Sequence, residues 1–447
     1  MKRDFTGYRG KALSLLISSD AEIGSLVEVT SGETKYEGVL MPRYELSDDE
    51  HIVIKLQNGY NIGIRIGPQT KIQRMGAGER PTYRQPPVPE PRLDLPRVAI
   101  LSTGGTIASR VDYRTGAVRP ALTAGDLHAV VPELSEMAAV RAEILFSILS
   151  ENMTPEHWSE LAQKIAQIIE EGIDGIVVTH GTDTLGYTAA AMSFALQETP
   201  VPVILVGAQR SSDRPSSDAA TNLLAAVKMA TGPIAEVLVA MHEGFEDNSI
   251  LIHRGTKVRK CHTSRRDAFK SINTRPLARV REGKIEILVD ESKRRDPTRK
   301  LALKDKFDPR VALIKTYPGM DPKVIDFYVE EDFKGIIFEG TGLGHLPERC
   351  FPSIRKAISA GIIVGMTSQC IGGRIGMTVY DTGMDLLSMG VIPLGDMLPE
   401  TATVKLMWVL GQTKTSEEAK RLLSENLVGE IAERSVAWED STDEVGL

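Results

Sequence analysis

Cysteine is scarce: Cys261, Cys350 and Cys370 are widely spaced and odd in number. That excludes a disulfide framework and makes a cytoplasmic protein the expectation. Long apolar runs are missing too. No window reaches the roughly 18 uninterrupted apolar residues of a membrane span. The opening Met1-Lys2-Arg3-Asp4-Phe5 lacks the apolar stretch and small-residue cleavage site of a signal peptide. The histidines and cysteines form neither His-Glu-x-x-His nor Cys-x-x-Cys, and Cys261-His262 is adjacent rather than at ligand spacing, so no metal site is expected. No Gly-x-x-x-x-Gly-Lys-Ser/Thr string cradles a phosphate. Positive charge is not in excess: the formal net charge is −7. A chain that gripped a polynucleotide alone would show a basic surplus.

What is present is ordinary soluble composition, 42% hydrophobic and 25% charged over 447 residues, long enough for two or three cores. Residues 1–20 read as a loosely packed polar arm. Short β-branched runs follow at Ser25–Thr30, Tyr36–Leu40, His51–Leu56 and Asn61–Ile66. Turn chemistry separates them at Ser31-Gly32, Asp48-Asp49 and Asn58-Gly59, the last a tight-hairpin signal. Residues 1–80 are therefore expected to hold a small SH3-like or Sm-like β barrel, a docking module or an RNA-binding one. Pro81, Pro86, Pro87, Pro89, Pro91 and Pro96 make 81–96 an extended linker.

From Arg97 the texture changes to α/β. Val98–Leu101, Gly175–Val178, Val203–Val206 and Val237–Ala240 are nearly continuous apolar runs, as buried parallel strands show. Between them Leu161, Ile165, Ile168 and Ile169 recur at helical spacing. The pattern lapses at the basic run 293–300 and resumes at Val311–Lys315, Gly335–Phe338 and Ile362–Val364. This predicts two α/β domains with parallel sheets, over 97–305 and 306–447, the latter with a tail. Sites are expected at the carboxyl ends of the strands of the first.

Two strings sit at such strand exits: Thr103-Gly104-Gly105-Thr106-Ile107-Ala108-Ser109 and His180-Gly181-Thr182-Asp183-Thr184. A lysine lies in Lys257-Val258-Arg259-Lys260-Cys261-His262-Thr263-Ser264. Hydroxyl, carboxylate and amine together suit attack on an amide carbonyl. Taken singly, each has a plainer reading: a glycine turn closing onto a helix for Gly104-Gly105, and a helix cap for Asp183. The basic residues Arg254, Lys257, Arg259, Lys260, Arg265, Arg266, Lys270 and Arg275 read mostly as a solvated loop. Its functional version would seat Lys260 only when a larger complex binds. His180 reads as turn structure.

The two threonine strings resemble the signatures of the L-asparaginase family over about Arg97 to Val428. The added β segment makes the chain more similar still to the D-subunit family of archaeal glutamyl-tRNA(Gln) amidotransferases. That resemblance implies an asparaginase-like fold of two α/β domains behind a small β barrel. It implies catalytic Thr106, Thr182, Asp183 and Lys260, with which threonine attacks first left open. It also implies substrate binding by Ser150 and its neighbour Glu151, which replaces the commoner glutamine, and a lid carrying Tyr113. Ser150 read locally is a helix cap before Thr154-Pro155-Glu156.

The implied activity is hydrolysis of glutamine or asparagine, with ammonia passing to a partner, the E subunit of the glutamyl-tRNA amidotransferase, which amidates Glu-tRNA(Gln). With no phosphate loop here, ATP and Mg belong to that partner and this chain carries no cofactor. Glu-tRNA(Gln) would be held mainly by the partner, and the chain would be a homodimer within a heterotetramer. The alternatives are a free-standing L-asparaginase and, from another class, a binding protein whose β barrel is the working part.

Overall fold

The computed structural model describes residues 3–43, 47–57, 61–77, 94–105, 109–112, 117–120, 131–210 and 216–434, with backbone alone for 109–112 and 117–120. Residues 81–93 of the expected linker, Asn58-Gly59, Thr106 and Tyr113 lie outside the described residues.

The first module begins with helix α1 (Gly10–Ser18), followed by β1 (Ser25–Ser31), β2 (Thr34–Leu40), β3 (His51–Lys55), β4 (Asn61–Arg65) and β5 (Lys71–Ala77). The strands form an antiparallel sheet of order β4-β3-β2-β1-β5. Alternate side chains of β1 (Val27, Val29) face inward with Leu40, Ile52, Ile54 and Ile64. Of the loosely packed arm expected over 1–20, residues 3–20 are instead packed against the sheet. Ala12 and Leu16, one helical turn apart, are fully buried, and the Tyr8 hydroxyl donates to the Met41 carbonyl at 2.8 Å. Packing against the sheet makes this helix, since nine residues would not hold it alone.

The second module opens with β6 (Arg97–Gly104), the hairpin β7 (Ser109–Asp112) and β8 (Ala117–Pro120), then β9 (Ala139–Ile148). Next come α2 (Pro155–Glu170), β10 (Gly175–Thr179), α3 (Leu185–Ala195), β11 (Leu196–Gln197), β12 (Val203–Val206), α4 (Ala219–Ala230) and β13 (Val237–His242). The run ends with β14 (Ser249–Arg254), β15 (Val258–Lys260), β16 (Phe269–Ser271), β17 (Ala278–Arg281), β18 (Lys284–Ile287) and β19 (Ala302–Leu303). Pro155 at the first turn and a Thr154/His157 capping box start α2. Its Trp158, Leu161, Ala162 and Ile165 form the buried stripe.

The main sheet has eight strands in the order β18-β17-β14-β13-β12-β10-β6-β9. Strands β9, β6, β10, β12 and β13 are parallel, the last four as the apolar runs predict; β9 adds an edge strand that those runs do not mark. From β13 outward the pairing turns antiparallel, so the sheet is mixed. Short returns, such as Glu282-Gly283 with both φ positive, leave no room for a crossover helix.

The third module is a parallel sheet of β20 (Val311–Lys315), β21 (Gly335–Gly340), β22 (Ile363–Ser368) and β23 (Ile392–Pro393). Its helices are α5 (Lys323–Glu330), α6 (Phe351–Ser359), α7 (Asp381–Met389), α8 (Pro399–Gln412) and α9 (Ser416–Ser424). Helix α3 is buried nearly all round and rich in alanine. It lies between the main sheet and α8, and one continuous core joins the second module to the third.

Candidate active site

Three carboxyl ends of the main sheet converge. Strand β6 ends in Thr103-Gly104-Gly105, with Thr103 buried and its hydroxyl donating to the Thr179 carbonyl, the last residue of β10, at 3.0 Å. Gly104 (φ 118°) and Gly105 (φ 73°) take conformations that favour glycine. A Cβ on Gly104 would lie 2.1 Å from the Ile148 carbonyl oxygen at the end of β9. One on Gly105 would lie 2.8 Å from the Gly181 nitrogen. The residue before Thr106 therefore abuts the residue before Thr182. Strand β9 runs on into Ser150, buried, whose Cβ is 2.7 Å from where a Cβ on Gly181 would stand. Glycine at 105 and 181 is what lets the three turns touch.

Lys260 completes the site from the far side of the sequence. It ends β15, and its Nζ donates to Thr182 Oγ1 at 2.8 Å and to Asp183 Oδ1 at 2.8 Å. Its side chain is 15% exposed and that of Asp183 70%. The chain of contacts is hydroxyl, amine, carboxylate, an order in which a neutral amine can take a hydroxyl proton while the carboxylate orients it. Asp183 is not a helix cap. The cap of α3 is Thr184, whose hydroxyl turns to the Ser150 carbonyl at 2.7 Å. That bond ties the substrate-binding candidate Ser150 to the threonine turn, while Glu151 stands exposed beside it.

His180 is fully enclosed. Trp158 Nε1 donates to Thr188 Oγ1 at 3.1 Å, Thr188 Oγ1 lies 2.9 Å from His180 Nε2, and His180 Nδ1 lies 2.7 Å from the Gly181 carbonyl. This pattern makes Nδ1 the protonated nitrogen of a neutral ring. Burial pushes its pKa down to about 4. The imidazole holds the turn and makes its bonds away from the trio.

Most of the basic stretch around Lys260 is paired in place, although Arg265 and Arg275 stand exposed. Arg254 pairs with Glu236, Lys257 with Asp396, Arg259 with Glu400, Arg265 and Lys270 with Asp267, and Arg266 with Asp247. Lys257 is 1% exposed, which corrects its reading as part of a solvated loop. Its partner lies 139 residues away in sequence, beyond any local signal. Lys260 is seated by contacts within this one chain. A cavity of about 500 Å³ opens between the Glu236–Arg254 pair and residues 426–429, and none of Thr182, Asp183 and Lys260 lines it. Among the described residues no group of three or more His, Cys, Asp or Glu is arranged to hold a metal ion, and no helix is long and apolar enough to cross a membrane.

Comparison with known proteins now bears on this geometry. The family model for the asparaginase N-terminal domain matches residues 97–293, and that for the glutaminase/asparaginase C-terminal domain matches 310–423. The model for the GatD N-terminal domain matches 21–75. The D subunit of the glutamyl-tRNA(Gln) amidotransferase of Pyrococcus furiosus is 53% identical over 412 residues, covering 91% of this chain and 93% of that protein. Its counterpart in Methanothermobacter thermautotrophicus is 51% identical over 433 residues, 96% and 99% of the two chains. The chain belongs to the D-subunit family of glutamyl-tRNA(Gln) amidotransferases. It is an asparaginase-type amidohydrolase subunit of a tRNA-dependent, multi-subunit amidotransferase. Among solved structures it is similar to the thermostable L-asparaginase of Thermococcus kodakarensis, with a TM-score of 0.68 and 32% identity over 76% of this chain and 100% of that one. L-asparaginase I of Vibrio cholerae gives 0.65 and 31%, covering 76% and 99%. The 76% shared with these enzymes leaves room for the antiparallel module before the linker, which the D-subunit family adds.

Proposed function

We propose that this chain hydrolyses the side-chain amide of glutamine, or of asparagine, and hands the ammonia to the E subunit for conversion of Glu-tRNA(Gln) to Gln-tRNA(Gln). The observation that carries the reading is the Lys260 ammonium at 2.8 Å from both Thr182 Oγ1 and Asp183 Oδ1. The abutting Gly105 and Gly181 turns support placing Thr106 in the same cleft. Thr106 Oγ attacks the amide carbon, the carbon–nitrogen bond breaks, and ammonia leaves with the threonine proton. Water then adds to the acyl-threonine, its proton passing to Thr182 as the neutral amine form of Lys260, held by Asp183, takes the Thr182 proton; that proton returns to the Thr106 oxygen as the acid departs and the threonine is regenerated. Ser150 and Glu151 hold the α-carboxylate and α-amine, and Tyr113 closes over them. The partner supplies the ATP and Mg that activate the tRNA-bound carboxylate, and most of the tRNA grip. The assembly is a homodimer within a heterotetramer, in the cytoplasm.

The test is the amidase rate of the chain alone, then with the E subunit and Glu-tRNA(Gln). Strong stimulation supports the reading. One observation favours a second, a free-standing L-asparaginase: Lys260 reaches Thr182 through contacts internal to this chain. Full activity without the partner would select it.

A further inference from the structure

Thr182 and Asp183 precede α3, whereas Lys260 ends β15, and Thr182 and Lys260 are 78 residues apart in sequence. One element of the third module supports both. Along its length α8 lies against α3, with Trp408 stacked on Phe194 at 5.7 Å between ring centres. At its start, the same helix and the residues before it hold the segment that carries the lysine at three points. Asp396 Oδ2 accepts from Lys257 Nζ at 2.8 Å, both side chains being at most 1% exposed. The Thr401 hydroxyl donates to the Thr256 carbonyl at 2.9 Å. Arg259 Nε meets Glu400 Oε1 at 3.0 Å. Arg259 immediately precedes Lys260, and successive side chains of a strand point to opposite faces. Glu400 thus grips β15 from behind the lysine.

We propose that Glu400 is a positioning residue for amide hydrolysis: it holds Arg259 so that β15 presents Lys260 Nζ to Thr182 and Asp183 at once. The inference rests on the amidase reading of that trio.

The seam is tight enough to make position matter. A Cβ on Gly186, in the first turn of α3, would come within 3.2 Å of the Val258 carbonyl oxygen of β15. The Glu400 contact is also poorly suited to stability. Its second oxygen, Oε2, is buried with no hydrogen bond among the described residues, and an unpaired buried acceptor destabilises a fold. Burial pushes the carboxyl pKa up. By contrast the neighbouring Asp396 is well satisfied, its Oδ1 accepting from the Ala432 amide at 2.9 Å. Replacing a buried ion pair with apolar side chains of similar size is often neutral or stabilising. A pair kept for stability and one kept for alignment therefore make opposite forecasts.

The experiment compares Arg259→Met/Glu400→Met, Glu400→Gln and Lys260→Met in the full chain with its partner subunit. Active sites are titrated with a glutamine-like diazoketone, kcat and KM for glutamine are measured per titrated site, and Tm is recorded. The double variant is expected to keep or raise Tm and to lose kcat by about 10–100-fold, the scale of a small misplacement of a catalytic group. KM should stay within about threefold. Glu400→Gln keeps an acceptor for Arg259 and should recover much of the loss. Normal kcat per site in the double variant beside an inactive Lys260→Met would overturn the clamp alone. A kcat loss that simply follows a lowered Tm would overturn it too. Normal turnover in Lys260→Met would instead overturn the reading of the trio.

Discussion

Replacing Lys260 with methionine separates chemistry from folding cleanly, because the structure gives the two effects very different sizes. The ammonium donates to Thr182 and Asp183. Asp183 is 70% exposed, so water takes the place of its lost partner, and an ion pair of that kind contributes about 0–1 kcal/mol. Methionine keeps the unbranched stem at a position that is 15% exposed, so little packing is lost. The shift in Tm should be about 2 °C or less. The rate should behave otherwise. Removing the group that holds Thr182 and, in its neutral amine form, takes the threonine proton forfeits a factor of about 10²–10⁴, or roughly 3–5 kcal/mol of transition-state stabilisation. Ammonia release is followed under saturating glutamine, with thermal unfolding recorded on the same preparation. A variant retaining more than about a tenth of the turnover would refute the assignment of Lys260 as the proton acceptor. A large fall in Tm would refute the claim that its ion pair is peripheral to stability.

Three further outcomes are expected. In Gly181→Ala the new Cβ would stand 2.7 Å from Ser150 Cβ, which no rotamer relieves, so Thr182 must move; kcat should fall about 100-fold, and unchanged kinetics would contradict the close approach of the turns. Gly186→Ala presses on the Val258 carbonyl at 3.2 Å, a milder intrusion expected to lower kcat about threefold to tenfold with KM nearly constant. Acid should weaken the fold early: burial holds His180 down to about 4 and His253 to about 3, both below the unfolded value near 6.5. Their contribution is complete above about pH 6.5 and is lost as pH falls toward the folded values, because unfolding takes up protons. The two together amount to about 4 kcal/mol between about pH 7 and 5, and urea titrations giving equal stability at the two values would contradict the buried neutral rings.

Much of this architecture is legible in local sequence. The runs at 98–101, 175–178, 203–206 and 237–240 form adjoining parallel strands, since continuous apolar side chains can only be buried on both faces. The threonine, aspartate and lysine strings also meet. What escapes depends on distant partners. Helix α1 buries only Ala12 and Leu16, and it exists because the sheet covers them. The antiparallel edge is readable in the alternation of Lys284-Ile285-Glu286-Ile287, which a uniform α/β expectation overlooks. Lys257 looks like one more surface cation until Asp396 is brought to it. Glu400 carries no local mark at all. Thr106 and Tyr113 fall outside the described residues, so their part of the reading rests on the glycines and strands beside them.

The place of α8 in the chain bears on synthesis. Amino-terminal segments emerge first from the ribosome, so the strands leading to Thr182 and to Lys260, which lie in two different sheets, are made before residues 396–412 have left the exit tunnel. Until then the strand ending in Lys260 lacks the backing of Asp396, Glu400 and Thr401. On the proposed clamp, a growing polypeptide hydrolyses free amide more slowly than the finished chain until those late residues have been made.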